Sequence, residues 1–354
     1  IVPSFNPYFY FRIGYRLARS ALRSLYRVRV MFEDEQSMAE VSDQAAVVFI
    51  INHRSNIDYV VASYLTAERT MLSFGVGEWS RMWPVQSLMR MAGGYFVRRD
   101  SRDPLYRLLL KRYVQLATAA RVPHAIFIEG QLSPDGSVGE PRLGLLSYIT
   151  ENFDPASTPE LVFMSVGINY DHIVEAENMV RFSSEEFRRK GRVFVAWNLL
   201  KFIARLPWEM LCRRRNFGYV CAAFAKPVVF SNWLAQRDVA WPKLDRDQRH
   251  TLVQALGDTL IGDISDMVPA TPVPMLCALW FDNMKLVLTR NQLEHRFCNL
   301  ITRLRENGCH LVLVNESETD TLDHALNITL KRRMILCDEN LEYRANPEDN
   351  DLIR

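Results

Sequence analysis

Apolar residues in this chain come as short β-branched bursts, separated by longer stretches in which they recur every three or four positions. The burst AVVFII at 46–51 is the clearest of them. Strands are expected there and near 94–98, 125–129, 161–168, 190–196 and 219–225, because short continuous apolar runs describe strands buried on both faces. Residues 100–120 (DSRDPLYRLLLKRYVQLATAA) predict a helix that starts behind Asp103-Pro104, with apolar positions three and four apart. Helices are expected between the other strands as well. The fold class is therefore α/β, a mixed sheet flanked by helices, with helical additions at both ends.

Beyond residue 236 the pattern is mostly helical. Amphipathic stretches cover 246–266 and 283–306, and a short strand-like piece, HLVLV, follows at 310–314. The tail 343–354, with Glu348, Asp349, Asn350 and Asp351, is expected to be poorly ordered. The expected organisation is a basic helical lead-in over 1–40, an α/β domain over 41–235 and a mostly helical C-terminal region over 236–354. At 354 residues the chain can bury one large core and a smaller appended one.

Net charge is only +2, which points to no nucleic-acid partner. Its distribution says more. Residues 1–32 contain Arg12, Arg16, Arg19, Arg23, Arg27 and Arg29 and no acidic residue, interleaved with Phe5, Tyr8, Phe9, Tyr10, Phe11, Tyr15 and Tyr26. Positions 12, 16, 19, 23 and 27 share one helical face, the signature of a basic amphipathic helix. Two readings fit: the helix lies on an anionic lipid surface, or it packs on the domain and keeps a solvated arginine face. The segment 193–215 (VFVAWNLLKFIARLPWEMLCRRR) also mixes apolar, aromatic and basic residues. It suits lying on a membrane, or forming a core helix, better than crossing a bilayer, since no run reaches about 18 apolar residues. The six cysteines, Cys212, Cys221, Cys277, Cys298, Cys309 and Cys337, are scattered with no Cys-x-x-Cys pair, as in a reducing compartment. No His or Cys cluster has metal-ligand spacing, so no metal or cofactor is expected. The first residue is Ile1, so any segment upstream of it is invisible here.

Candidate chemistry begins where the first strand ends. Residues 52–58 read Asn-His-Arg-Ser-Asn-Ile-Asp, which sets His53 and Asp58 five positions apart at a strand-to-helix junction. Ser55 and Asp58 have capping-box spacing, so a helix is expected from about Ser55. A neutral imidazole on that bend can take a proton from a hydroxyl, and the carboxylate can fix its tautomer. No serine or cysteine sits in a Gly-x-Ser-x-Gly elbow, so the nucleophile would be the substrate's own hydroxyl. On the same residues, Asp58 as a simple helix cap and His53 as a polar turn residue also fit.

Further blocks follow in order. Residues 93–99 read GGYFVRR, residues 127–146 read FIEGQLSPDGSVGEPRLGLL, and residues 161–175 read LVFMSVGINYDHIVE. The strand GYVCAAFAKP closes the series at 218–227. Arg98 and Arg99, after glycines that allow close approach, suit a phosphate, or form a solvated strand end paired with Asp100 and Asp103; strand alternation lets only one of them face inward. Glu129 at the end of an apolar strand needs a donor, either Arg98, Arg99 or a backbone amide. The glycine-rich loop 131–140 can offer amides to an oxyanion or be a tight connection only.

Together the blocks resemble the glycerolipid acyltransferase family over residues 45–230, and most resemble the bacterial glycerol-3-phosphate acyltransferases, with an echo at 271–280 (TPVPMLCALW). That resemblance implies His53 and Asp58 as catalytic residues, and Arg54, Ser55, Arg98, Arg99, Glu129, Gly130 and Arg142 as substrate-binding residues. It implies an acyl-CoA or acyl carrier protein thioester as donor and glycerol 3-phosphate as acceptor, acylated at its sn-1 hydroxyl. It also implies a peripheral position on the cytoplasmic face of a bacterial inner membrane, or on an organelle membrane. The third block departs from the family pattern: Leu132 and Pro134 stand where arginines are usual, two and four residues after the glycine. In the fourth block Ser165 replaces the usual proline. A monoacylated acceptor, a thioester hydrolase and an inactive membrane-surface scaffold are the alternative readings.

Overall fold

The computed structural model describes residues 3–66, 72–76, 85–98, 101–133, 135–173 and 217–349. In chain order the elements are a π-helical turn at Phe9–Gly14, α1 (Tyr15–Leu25), β1 (Arg27–Phe32), α2 (Glu35–Ala39), β2 (Ala46–Ile51), α3 (Asp58–Thr66), β3 (Ser73–Val76), α4 (Val85–Met91), β4 (Gly94–Phe96), α5 (Pro104–Ala119), β5 (His124–Phe127), α6 (Leu143–Thr150) and β6 (Leu161–Tyr170). Then come β7 (Tyr219–Phe224), β8 (Val228–Val229), α7 (Phe230–Ala235), α8 (Arg246–Met267), α9 (Pro272–Cys277), β9 (Val287–Thr289), α10 (Arg290–Glu306), α11 (Glu318–Lys331), β10 (Ile335–Cys337) and β11 (Glu342–Ala345).

The main sheet runs β1-β7-β6-β2-β5-β3-β4, with β8 paired to β6. The pairs β2–β6, β2–β5, β3–β5, β3–β4 and β1–β7 are parallel, whereas β6–β7 and β6–β8 are antiparallel. The mixed α/β architecture read from the burst pattern is therefore the observed one. A second, antiparallel sheet joins β10, β11 and β9.

The sequence of β2 explains its central position. Side chains alternate faces along a strand, and both faces of β2 are apolar. Ala46, Val48 and Ile50 enter a core with residues of α5, α6, α7 and α8. Phe49 and Ile51 enter a second core with Leu22 and Leu25 of α1 and Val61 of α3. With helices on both sides, nothing polar is tolerated until the strand leaves the sheet at Asn52. A third core, around Trp280, Leu293, Phe297 and Leu322, organises the C-terminal elements.

Several expectations need correction. The basic helix ends at Leu25, and Arg27–Phe32 forms β1 at the sheet edge, paired along its length with β7. The lead-in thus supplies a strand to the main sheet before residue 40. The amphipathic stretch at 246–266 is α8, but its buried residues pack in the core of the main sheet, so that core extends past the expected boundary at 235. Helix α3 starts at Asp58 rather than Ser55, after a turn at 56–57. The helix expected over 283–306 begins at Arg290, behind β9. Within the tail, Glu342–Ala345 is ordered because β11 pairs on both sides, with β10 and β9. The strand expected at 190–196 and the basic segment 193–215 lie outside the described residues, as do Arg99, Pro134 and 350–354. Among the described residues no helix is long and apolar enough to cross a membrane.

Helix α5 shows what pattern alone misses. Asp103 caps it, its carboxylate accepting from the amides of Leu105 and Tyr106. Tyr106, Leu110, Val114 and Thr118 face the core. Leu105, Leu108, Leu109 and Leu116 lie on the other side, all more than half exposed.

Candidate active site

The bend after β2 is built by side chains that continue the sheet where the backbone leaves it. Asn52 donates through Nδ2 to the Ile168 carbonyl at 3.0 Å and accepts from the Ile168 amide at 2.8 Å. That bracket ties the exit of β2 to β6 and sends His53 out at the carboxyl end of the parallel strands, where open α/β sheets form their sites.

His53 and Asp58 meet there. Nδ1 of His53 lies 2.9 Å from Oδ2 of Asp58, with the His53 side chain 8 % exposed and the Asp58 side chain fully buried. The same Oδ2 accepts from the amides of Arg54 at 2.7 Å and Ser55 at 2.8 Å. This is the reach-back half of a capping box. The Ser55 hydroxyl instead accepts from the Ile57 amide at 3.2 Å, which is why the helix is delayed to Asp58. The other carboxylate oxygen, Oδ1, accepts a short hydrogen bond from the Tyr170 hydroxyl. A carboxylate so surrounded by donors is held as an acceptor, which makes His53 Nδ1 the protonated nitrogen. Nε2 is then the basic nitrogen, and it has no hydrogen-bond partner among the described residues. The imidazole rests on the Phe127 ring with centroids 4.2 Å apart and meets the edge of Tyr59 at 5.6 Å.

Glu129 braces the same bend. Its Oε1 accepts from the His53 amide at 3.0 Å and its Oε2 from the Gly139 amide at 3.1 Å. The donors are thus backbone amides, one of the two kinds expected. The Gly139 amide is consumed by this contact and is not free for a substrate oxyanion. The Ser133 amide donates to the His53 carbonyl at 2.7 Å, so the 131–140 loop is stitched to both sides of the histidine. Gly130 has φ of 68° with Arg142 packed against it; a side chain there would be strained and crowded.

The arginines divide. Arg54 is largely buried, its Nη1 donating to Asn169 Oδ1 at 2.7 Å, and burial pulls its guanidinium below the ordinary value against the pull of Asp58 and Glu129. Arg142 is exposed and, with Glu129, Gln131, Ser133, Ser137 and Gly139, lines a cavity of about 250 Å³ beside the histidine loop. Arg98 is exposed just past β4, its guanidinium 5.1 Å from the Tyr106 ring centroid. It shares the carboxyl edge of the sheet with His53, but β5 and β3 separate β4 from β2. The structure therefore gathers His53, Arg54, Ser55, Asp58, Glu129, Gly130 and Arg142 in one place and sets Arg98 along the edge. Asn52, Phe127, Asn169 and Tyr170 carried no role in the sequence reading. Tyr170 stands in the quoted block LVFMSVGINYDHIVE, but only the β2–β6 pairing brings it to Asp58.

A sheet with helices on both faces, bearing a His-x4-Asp pair at its carboxyl edge, defines a class, and comparison with known proteins agrees with it. The Acyltransferase family profile matches residues 29–160. The profile described as the glycerol-3-phosphate acyltransferase C-terminal region matches residues 197–347. Relatives include glycerol-3-phosphate acyltransferases of Pseudomonas putida strain W619, 24 % identical over 73 % of this chain and 31 % of that protein, and of strain GB-1, 25 % identical over 80 % and 34 %. The chain spans about a third of the length of these curated relatives. The crystal structure of the 1-acyl-sn-glycerophosphate acyltransferase PlsC from Thermotoga maritima is similar at a TM-score of 0.38 and 15 % identity, covering 72 % of this chain and 77 % of that one. At that score the likeness carries no argument.

Proposed function

We propose that this chain transfers a long-chain acyl group from a thioester to the sn-1 hydroxyl of glycerol 3-phosphate. The observation that carries the reading is His53 Nε2, which has no hydrogen-bond partner among the described residues and is made the basic nitrogen by the 2.9 Å contact of Nδ1 with Asp58. As the acceptor hydroxyl attacks the thioester carbonyl, its proton passes to Nε2. The tetrahedral oxyanion then collapses, the C–S bond breaks, and the imidazolium returns the proton to the leaving thiolate. No acyl-enzyme forms. Arg142 at the rim of the adjoining cavity is the candidate for the acceptor phosphate, with Arg98 along the edge as a further candidate; Arg99, also a candidate, lies outside the described residues. Arg54, Ser55, Glu129 and Gly130 shape the bend. The donor is acyl-CoA or acyl carrier protein.

A membrane surface is the proposed source of acyl chains and sink of product. Tyr8, Phe11, Ile13 and Leu17 are exposed beside Arg12 and Arg16, while Leu22 and Leu25 of the same segment are buried on the domain. That arrangement supports a helix that packs on one side and offers an apolar, basic face on the other. The outward leucines of α5 add further exposed apolar surface.

A thioester-release assay with and without glycerol 3-phosphate tests the reaction. Release that depends on glycerol 3-phosphate, with lysophosphatidate as product, supports the proposal. Release without acceptor makes the chain a hydrolase, and release only with a monoacylated acceptor moves it to the second acylation step. Leu132 and Pro134 in the third block bear on the identity of the acceptor and also fit the scaffold reading. No release from a folded protein leaves a scaffold.

A further inference from the structure

The end of β6 turns four consecutive side chains to four different duties. Asn169 holds the Arg54 guanidinium, Tyr170 holds Asp58, Asp171 takes the amides of Tyr219 and Val273, and the ring of His172 accepts from Arg332 Nη1 at 2.8 Å. Only Tyr170 reaches the His53–Asp58 pair.

We propose that Tyr170 is a positioning residue for the reaction proposed above, fixing the plane of the Asp58 carboxylate and, through it, the tautomer of His53. The three contacts from His53, Arg54 and Ser55 all converge on Oδ2. Three donors on one oxygen anchor a point, and a carboxylate anchored at one oxygen can still swing about it. The Tyr170 hydroxyl is the donor to the other oxygen. Without it, a fully buried carboxylate keeps one oxygen unpaired, a costly state that rotation toward other donors relieves. Rotation loosens the contact to Nδ1 and frees the imidazole to sample the other tautomer, which puts the proton on Nε2 and abolishes the base. Tyr170 is itself well placed to hold a fixed line. It belongs to a strand hydrogen-bonded on both sides, to β2 and β7, and its ring meets that of Tyr26 edge-on at 5.6 Å.

Tyr170→Phe removes only the hydroxyl. Tyr26→Phe is the matched control, because it deletes a neighbouring buried hydroxyl that donates to the His172 carbonyl and not to Asp58. Two measurements separate a positioning role from a structural one. The first is transfer kinetics, where kcat for Tyr170→Phe is expected to fall roughly tenfold with the KM for the acceptor unchanged. The second needs no turnover: the ring nitrogen shifts of His53 in ¹⁵N-histidine-labelled protein, assigned by the signal lost in His53→Gln. Wild type is expected to show a single Nδ1–H tautomer and Tyr170→Phe a mixture, while Tyr26→Phe lowers thermal stability and keeps the wild-type kcat and tautomer. A wild-type tautomer in Tyr170→Phe, or an equal change in Tyr26→Phe, would overturn the proposal. If wild type shows no acceptor-dependent transfer and the tautomer still changes in Tyr170→Phe alone, the positioning role stands and the acyltransferase reading is what fails.

Discussion

Two histidine–aspartate pairs meet near the end of β6 with almost the same separation, 2.9 Å for His53–Asp58 and 3.0 Å for His324–Asp171. Both carboxylates are fully buried and both accept backbone amides, yet the pairs have different uses. His53 and Asp58 lie five positions apart on one bend, and the second nitrogen of the histidine, with no hydrogen-bond partner among the described residues, is the proposed base. His324 lies on α11, in the C-terminal region, and reaches 153 residues back to Asp171. Asp171 also binds the amides of Tyr219 in β7 and Val273 in α9. Gly218, at φ 75°, sits hard against the Asp171 carboxylate, so no side chain fits there. The second pair is a strap that ties α9 and α11 to the main sheet. Identical chemical groups thus form a local pair, the proposed base and its partner, or a brace that closes a long-range contact.

Replacing the two histidines separates these uses. His53→Ala should lower transfer by about a thousandfold or more while leaving the fold intact, since proton removal loses its only assigned base. His324→Ala should keep transfer within a few-fold. Comparable activity losses in the two variants, with both proteins folded, would erase the distinction. Asp58→Asn should cost roughly a hundredfold in kcat, because an amide in place of the carboxylate no longer selects the productive tautomer. Turnover of Asp58→Asn close to wild type would reduce Asp58 to a cap.

Histidines without a carboxylate partner sharpen the contrast through pH. Burial pushes His124 down to about 4, and burial with the nearby Arg332 guanidinium pushes His172 down to about 3. Both stay neutral in the folded chain while their unfolded counterparts gain protons near the ordinary histidine value of about 6.5. The unfolded state therefore binds more protons below that value, and stability falls with falling pH. The loss runs from about pH 6.5 down to about 4 for His124 and to about 3 for His172. Between pH 7.5 and pH 5 each should cost roughly 2 kcal/mol. Urea unfolding at the two pH values, compared with His124→Leu, checks this; an unchanged pH slope in the variant would show that His124 is not the source.

The smallest effect is expected at the strap. With two amides still on Asp171, His324→Ala should destabilise by about 1–2 kcal/mol, the scale of one hydrogen bond to a buried carboxylate. A cooperative melt that is unchanged would mean that the strap contributes orientation and no stability.

The bend at 52–58 was legible because everything that builds it is local. A buried strand, a polar exit and a carboxylate within capping distance are short-range features, enough to put His53 and Asp58 on one turn. The apolar strand β2 and the capped start of α5 were legible likewise, since periodicity and caps are properties of neighbouring residues. Tertiary structure alone decided the rest. Arg27 continues the helical arginine spacing of positions 12, 16, 19 and 23, yet it opens the strand Arg27–Phe32, which pairs along its length with β7. Glu342–Ala345 is ordered because β9 and β10 flank it. Tyr170 reaches Asp58 across 112 residues, and His324 reaches Asp171 across 153. A polar side chain in a strand advertises no partner. The free energy of its hydrogen bond exists only once the sheet order has brought the two ends together.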